Sequence, residues 1–382
     1  MMKKILGFTL ILTVIFAFTV PALANDTKAP SAHNFTMIAA GGSHSLGIKS
    51  DGSLWAWGLN GSGQVGDGTR TTRKEPVSIS NDTDWIAVAA HGNHSLAIKA
   101  NGSLWVWGAN NTAQLGIGNL TAQHTPVQMG TDTNWRSVAT GRGHSVAIKT
   151  DGSLWAWGWN NRGQLGDGTI TTNRTPVRIG SDTDWAIVTT GENHTLAIKT
   201  DGSLWTWGLN NAGQLGDNTR VNKRVPTQVG DATDWASVNA GISYTFAIKK
   251  DGSLWAWGWN HRGQLGDGTR VNKLSPVQVT DYTDWVSVNT GYCHTKAIRS
   301  NGSLWAWGEN TYSQLCDGTV AHKSVPVQIG TDTNWKSITA GDGHNLALKS
   351  DGSLWAWGRN HCGQLGMASL NNRPVTQPIQ IP

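Results

Sequence analysis

Short apolar runs alternate with turn-forming residues along almost the whole chain. In residues 135–179 four runs follow one another: Trp135 to Ala139, His144 to Lys149, Ser153 to Gly158 and Pro176 to Ile179. Each reads as a short strand bounded by Gly, Asp, Asn or Pro. In the third run Leu154 and Ala156 point one way and Trp155 and Trp157 the other, so both faces are apolar and both must be buried. Asp151-Gly152 between the second and third runs gives the hairpin signal of a type I′ turn. It returns at Asp51, Asp201, Asp251 and Asp351, and as Asn-Gly at Asn101 and Asn301. Residues 25–382 show no helical periodicity.

The pattern is a repeat. Ser-Leu-Trp-x-Trp-Gly recurs with Trp55, Trp105, Trp155, Trp205, Trp255, Trp305 and Trp355 at a spacing of 50. Trp85, Trp135, Trp185, Trp235, Trp285 and Trp335 keep the same interval, with Phe35 in their place in the first unit. Four-stranded antiparallel units of this length that bury both faces stack radially, each covering its neighbour. The expected fold is therefore all-β, a seven-bladed β-propeller of four-stranded antiparallel blades over residues 35–382. A lone 50-residue sheet with two apolar faces would not be stable, and no unit carries the polar cap of an open solenoid. The phase of the blades relative to the sequence unit is left open.

Residues 1–24 read as a secretory signal peptide: Lys3 and Lys4 precede an apolar run from Ile5 to Val20, and Ala22-Leu23-Ala24 supplies a small-x-small cleavage pattern. The run is short of the roughly 20 residues a spanning helix needs. Residues 25–34 form a short linker. The expectation is an exported protein, periplasmic or extracellular, with no membrane contact after cleavage. Cys293, Cys316 and Cys362 are too few and too odd for a disulfide framework, and a Cys316–Cys362 bridge stays open.

Gly-x-x-His-(Ser/Thr), Asp-Gly-Ser-Leu-Trp-Ala-Trp-Gly, Asn-x-x-Gly-Gln-Leu-Gly-Asp-Gly-Thr and Pro-Val-Gln-Ile together resemble the regulator of chromosome condensation repeat family across residues 35–382. The resemblance implies a seven-bladed propeller. It also implies guanine-nucleotide exchange and chromatin binding, as in the family's founding member, but a signal peptide separates this chain from cytosolic GTPases and from nucleic acid. The position two residues before each His(Tyr) holds Gly42, Gly92, Arg142, Glu192, Ile242, Tyr292 or Asp342. None is tryptophan, which excludes the photoreceptor motif of a plant branch of the family. An exported branch that inhibits enzymes through loops on one face is the nearer analogue.

In a four-stranded blade, loops after strands one and three share one face, and those after strands two and four share the other. The second face is monotonous, with the same Asp/Asn-Gly hairpin in every blade. The first varies: Leu59, Ala109, Trp159, Leu209, Trp259, Glu309 and Arg359 follow Trp-Gly, and Ser62, Thr112, Arg162, Ala212, Arg262, Tyr312 and Cys362 come three positions later. The first face carries 15 Lys/Arg against 9 Asp/Glu, and the second about 15 Asp/Glu against 8 Lys/Arg. The formal charge of +5 thus conceals a dipolar molecule with a basic, aromatic-bearing face that would steer an acidic partner.

Of the 22 Trp, fourteen in Trp-x-Trp pairs and six at strand starts are core by pattern, leaving Trp159 and Trp259. These two are the expected binding anchors, beside Arg162 and Arg262, with Tyr292, Glu309, Tyr312 and Arg359 in neighbouring blades, because Trp, Tyr and Arg dominate hot spots. His44, His94, His144, His194, His294 and His344, with Tyr244 completing the series, are expected to bond backbone within their own blades and not to hold a metal. No set of chemistry-bearing residues present only once stands out, so no catalytic residue and no cofactor is assigned and the chain is not read as an enzyme. The reading is an exported protein-binding scaffold or inhibitor, monomeric, with an acidic protein partner. A carbohydrate or cell-surface binding module is the alternative, and an exchange-factor-like regulator a further one.

Overall fold

The computed structural model describes residues 34–382; the signal-peptide and linker assignments lie outside the described residues, apart from Asn34. Seven four-stranded antiparallel sheets follow in chain order. The first blade is Phe35–Ala40, His44–Lys49, Leu54–Gly58 and Arg73–Ser78, and the last is Trp335–Ala340, His344–Lys349, Leu354–Gly358 and Val375–Ile381. The only helix among the described residues is the single 3-10 turn Ala368–Leu370. First strands of neighbouring blades pack together around the axis, so the fourth strands form the rim.

Blade and sequence unit are in phase. No strand is shared across the closure, where Phe35, Ala40 and Trp57 of the first blade join one apolar cluster with Leu346, Leu348, Leu354 and Ile381 of the seventh. Phe35 and Trp57 stack edge to face at 6.0 Å.

The second Trp of each pair is core: Trp57, Trp107, Trp157, Trp207, Trp257, Trp307 and Trp357 are fully buried. The first of each pair departs from the core expectation and is half-buried, because it lies towards the second-face end of the blade beneath a cation. Lys99 Nζ stands 4.8 Å from the Trp85 ring centre and 5.0 Å from that of Trp105, and is held there by Asp82 at 2.8 Å. Lys149, Lys199 and Lys249 repeat the arrangement, with Arg299 serving the sixth blade.

Two local expectations are corrected. The Asp-Gly hairpin is not the two-residue type I′ turn: only the Gly has positive φ, +80° at Gly52, and Lys49 N donates to Ser53 O while Gly52 N donates to Lys49 O. This is a type I turn closed by a G1 bulge. Glycine is required twice over, since a Cβ on Gly52 would lie 2.0 Å from Thr83 O in the next connection. The fourth strand also starts earlier than the apolar run, at Asn173 and not Pro176. Proline fits there because the strand is the outer edge and lacks an outward pairing partner.

The histidines span blades and do not bond their own backbone. His44 Nε2 lies 2.9 Å from Ser95 Oγ of the next blade, and Ser95 Oγ donates back to Gln64 O at 2.9 Å. Because that hydroxyl proton is committed to the carbonyl, the hydroxyl accepts from His Nε2–H, which fixes the neutral tautomer. The same hook joins His94 to Ser145, His144 to Thr195, His194 to Thr245 and His344 to Ser45, the last across the closure. His294 uses Asn345 Oδ1, and Tyr244 donates to the His294 carbonyl at 2.8 Å. Sequence reasoning placed each His at its turn but could not see that its partner lies in the next blade.

Candidate functional site: an axial cup on the loop face

The turn between the first two strands is Gly-x-x. In blade one Gly41 N donates to His44 O at 2.9 Å, closing the turn. Adjacent turns then meet backbone to backbone: Gly42 N reaches Gly92 O at 3.0 Å, Arg142 N reaches Glu192 O at 3.1 Å and Asp342 N reaches Gly42 O at 3.3 Å. This brings the first x of every turn to the axis. Five of these positions carry side chains, Arg142, Glu192, Ile242, Tyr292 and Asp342, and the first two blades have glycine. His91 takes the place that is glycine in the other six turns.

Around them is a cavity of about 610 Å³, lined by these side chains together with Trp159, Thr112 and Asn111 from the loops after the third strands. Arg142 Nη1 is paired with Glu192 Oε1, whose side chain is mostly enclosed while Arg142 stays open to solvent. Asp342 is water-accessible, yet protein surrounds it inside the cup, so desolvation raises its carboxyl above the usual range against the pull of His91. Burial lowers the His91 imidazole, which is neutral as a result, and its Nδ1 has no hydrogen-bond partner. Burial also raises the Tyr292 phenol, with Cys293, Glu192 and Asp342 adding to the effect.

Of the residues expected from the sequence, Trp159 and Tyr292 line the cup. Tyr312 and Arg359 meet at the next boundary, the guanidinium 4.8 Å from the ring centre. Arg262 is exposed and reaches His322 Nε2 at 3.5 Å, close to Glu309, which bonds Thr311. Arg162 is exposed. Trp259 differs from Trp159: it packs against the apolar cluster of blades five and six and stacks on His261 at 5.9 Å.

The basic rim is partly neutralised from beneath. Arg73, Lys223, Lys273 and Lys323 pair with Asp67, Asp217, Asp267 and Asp317, the aspartates that also accept from the backbone N–H of the threonine two residues on in each turn. Lys74, Arg162, Arg174, Arg220, Arg224 and Arg270 form no ion pair among the described residues, so a surplus of positive charge remains. No three His, Cys, Asp or Glu side chains among the described residues gather in a metal-holding group. All three cysteines are free thiols.

The cup corrects the expectation that nothing occurs only once. His91, Arg142, Glu192, Tyr292 and Asp342 form one asymmetric group at the centre of a ring of near-identical blades. The signal was present: the residue after the turn glycine differs from blade to blade, while that glycine and the histidine three positions beyond it are each kept in six of the seven units. What the sequence lacked was that these positions converge on the axis.

A closed ring of seven four-stranded blades with invariant turns on one face and variable loops on the other defines a repeat propeller that carries its specificity on one side. A model of the RCC1-like domain matches residues 17–295, and models of the regulator of chromosome condensation (RCC1) repeat match residues 285–314 and 335–364, and 301–348 and 351–382. The chain belongs to the RCC1-like domain family.

Among solved structures it is similar to Prp20p of Saccharomyces cerevisiae, described with its binding to Gsp1p and histones, at 23% identity and TM-score 0.72 over 80% of each chain. It is similar to human WBSCR16 at 21% identity and TM-score 0.77, over 86% of this chain and 94% of that one. The CRINKLY WD40 ectodomain of the Arabidopsis thaliana receptor kinase ACR4 matches at 14% identity and TM-score 0.55, over 91% and 99%. At these identities the likeness is one of fold. No curated protein matches the chain.

Proposed function

We propose that this chain is an exported protein-binding scaffold or inhibitor that engages its partner with the loop face. The observation that supports the reading is the sorting of sequence variation: in a ring of near-copies, the departures at the Gly-x-x turns and after Trp-Gly collect on one face around one cup, while the opposite face repeats a single hairpin. Uniform surfaces suffice for folding, whereas a varied surface with exposed Tyr292, Tyr312, Arg162 and Arg262 has the residue types of hot spots. That Prp20p binds Gsp1p and histones agrees with a protein partner. The unpaired rim arginines favour an acidic one.

The test is quantitative capture from exported and surface proteins, comparing the chain with a Trp159→Ala, Arg162→Ala, Arg262→Ala variant and with a control altered on the opposite face, Thr150→Arg and Thr200→Arg. A partner held by the chain and the control but lost by the first variant supports the reading. Equal capture by all three contradicts it. An arm measuring nucleotide release from GTPases addresses the exchange-factor alternative.

A further inference from the structure

The cup holds several polar groups that the protein itself leaves without a partner. Asp342 offers a carboxylate that forms no hydrogen bond or ion pair among the described residues. The Tyr292 hydroxyl and His91 Nδ1 are likewise open, and Arg142 spends one nitrogen on Glu192 and keeps its other donors. The enclosed His91 Nδ1 is costly unless a ligand or water completes it, while Asp342, Tyr292 and Arg142 face the solvent inside the cup and are available to a ligand.

Their chemistry is mixed. Asp342 can only accept, Arg142 can only donate, and Tyr292 and His91 can do either. An anion would face Asp342 and Glu192. A simple cation would face Arg142 and leave its donors unmet. A ligand whose groups both donate and accept fits both sides, and hydroxyls do so. Trp159, Tyr292 and Ile242 add apolar surface to the lining, suited to the C–H face of a sugar ring. The volume, about 610 Å³, is that of a small-ligand site, for which ~300–1,000 Å³ is typical. The group is also specific to this point of the ring, because the remaining two axial positions are Gly42 and Gly92, which leave the room.

We propose that the axial cup is a binding site for a neutral polyhydroxylated ligand, a mono- or disaccharide, held by Asp342 and Arg142 and covered by Tyr292 and Trp159. The proposal is independent of the protein partner: a chain that binds sugar in the cup and captures no protein leaves it intact.

The experiment is saturation-transfer difference NMR on the purified chain with glucose, galactose, mannose, N-acetylglucosamine, maltose and cellobiose. Lysine, glutamate and betaine serve as charged and zwitterionic comparisons, and isothermal titration measures any hit. Asp342→Asn and Tyr292→Ala are tested beside the chain, with near-ultraviolet circular dichroism and the melting midpoint confirming that each variant is folded. The expected result is binding of at least one saccharide at millimolar concentration or below, weakened about tenfold or more in both variants. No saccharide binding at millimolar concentration, binding that both variants retain, or binding of the amino acids in preference to the sugars would each overturn it.

Discussion

Lys296 stands where the other blades have Leu46, Leu96, Val146, Leu196, Phe246 and Leu346, and it is fully buried. Its Nζ bonds Gln314 O and lies 5.6 Å from the Trp357 ring centre. Burial lowers the amine to about 7, well under its ordinary value of 10.5. With the folded-state value depressed, the penalty is absent above pH 10.5, grows as pH falls to about 7 and is constant below that. Lys296→Leu leaves Gln314 O with its bonds from Asn345 and Trp357, so no carbonyl is orphaned. The variant should melt roughly 5 °C or more higher at pH 7, and the gain should shrink by pH 10, measured by calorimetry at both. Cys316 is a second departure in the same blade, a residue at φ +65° where the other blades have glycine. Trp157→Ala should cost about 3–5 kcal/mol in denaturant unfolding, because the ring is fully enclosed. Trp159→Ala should cost under about 1 kcal/mol, and Trp259→Ala should fall between them because it packs on the core cluster.

Five of the seven blade boundaries are tied by an element built from three residues, a His, a hydroxyl and a glutamine carbonyl, while His294 uses the Asn345 amide and Tyr244 takes the place of the histidine at the other two. Burial holds His44, His144, His194, His294 and His344 at about 3, and His94 well below 6.5. A histidine with its folded value lowered contributes stability in full above pH 6.5, and loses it as pH falls towards 3, where the unfolded chain takes up the proton first. Each hook adds up to about 1.4 kcal/mol per pH unit to that loss. Acid unfolding should therefore begin just below pH 6.5 and be steep, and His144→Gln should make it shallower; equilibrium unfolding at pH 7, 6 and 5 checks this. At this scale the sequence was largely legible. The strands over Trp135, His144 and Leu154 follow from alternation and turn residues alone. Partners were not legible, because a side chain's bond to the neighbouring blade leaves no local trace, and the fourth strand was read short because its polar residues at the rim carry no burial pattern.

The ring closes without a shared strand, through packing and through bonds such as His344 to Ser45 and Trp57 Nε1 to Gln364 O, and the ends lie together: Asn34 Nδ2 donates to Asp351 O, and Ile381 pairs with Leu354. A circular permutant opened between Gly180 and Ser181, with residues 34 and 382 joined by a short linker, should fold with a midpoint close to the parent's, since no strand is split; failure to fold would mean that closure depends on chain order. At this scale the repeat foretold seven blades and the two unlike faces, and the variable positions were visible as a column of differing residues. Their convergence into one cup was not, because it arises only when the turns meet on the axis. The central claim is that recognition lies on this loop face. Hydrogen exchange of the chain alone and in complex with its captured partner tests it most directly. The account predicts slowed exchange in the turns around Arg142, Glu192 and Tyr292 and in the loops after Gly158, Gly258 and Gly308, with the Asp-Gly hairpins at Asp151, Asp201 and Asp251 unchanged. Protection confined to those hairpins, or to the outer strands, would contradict it.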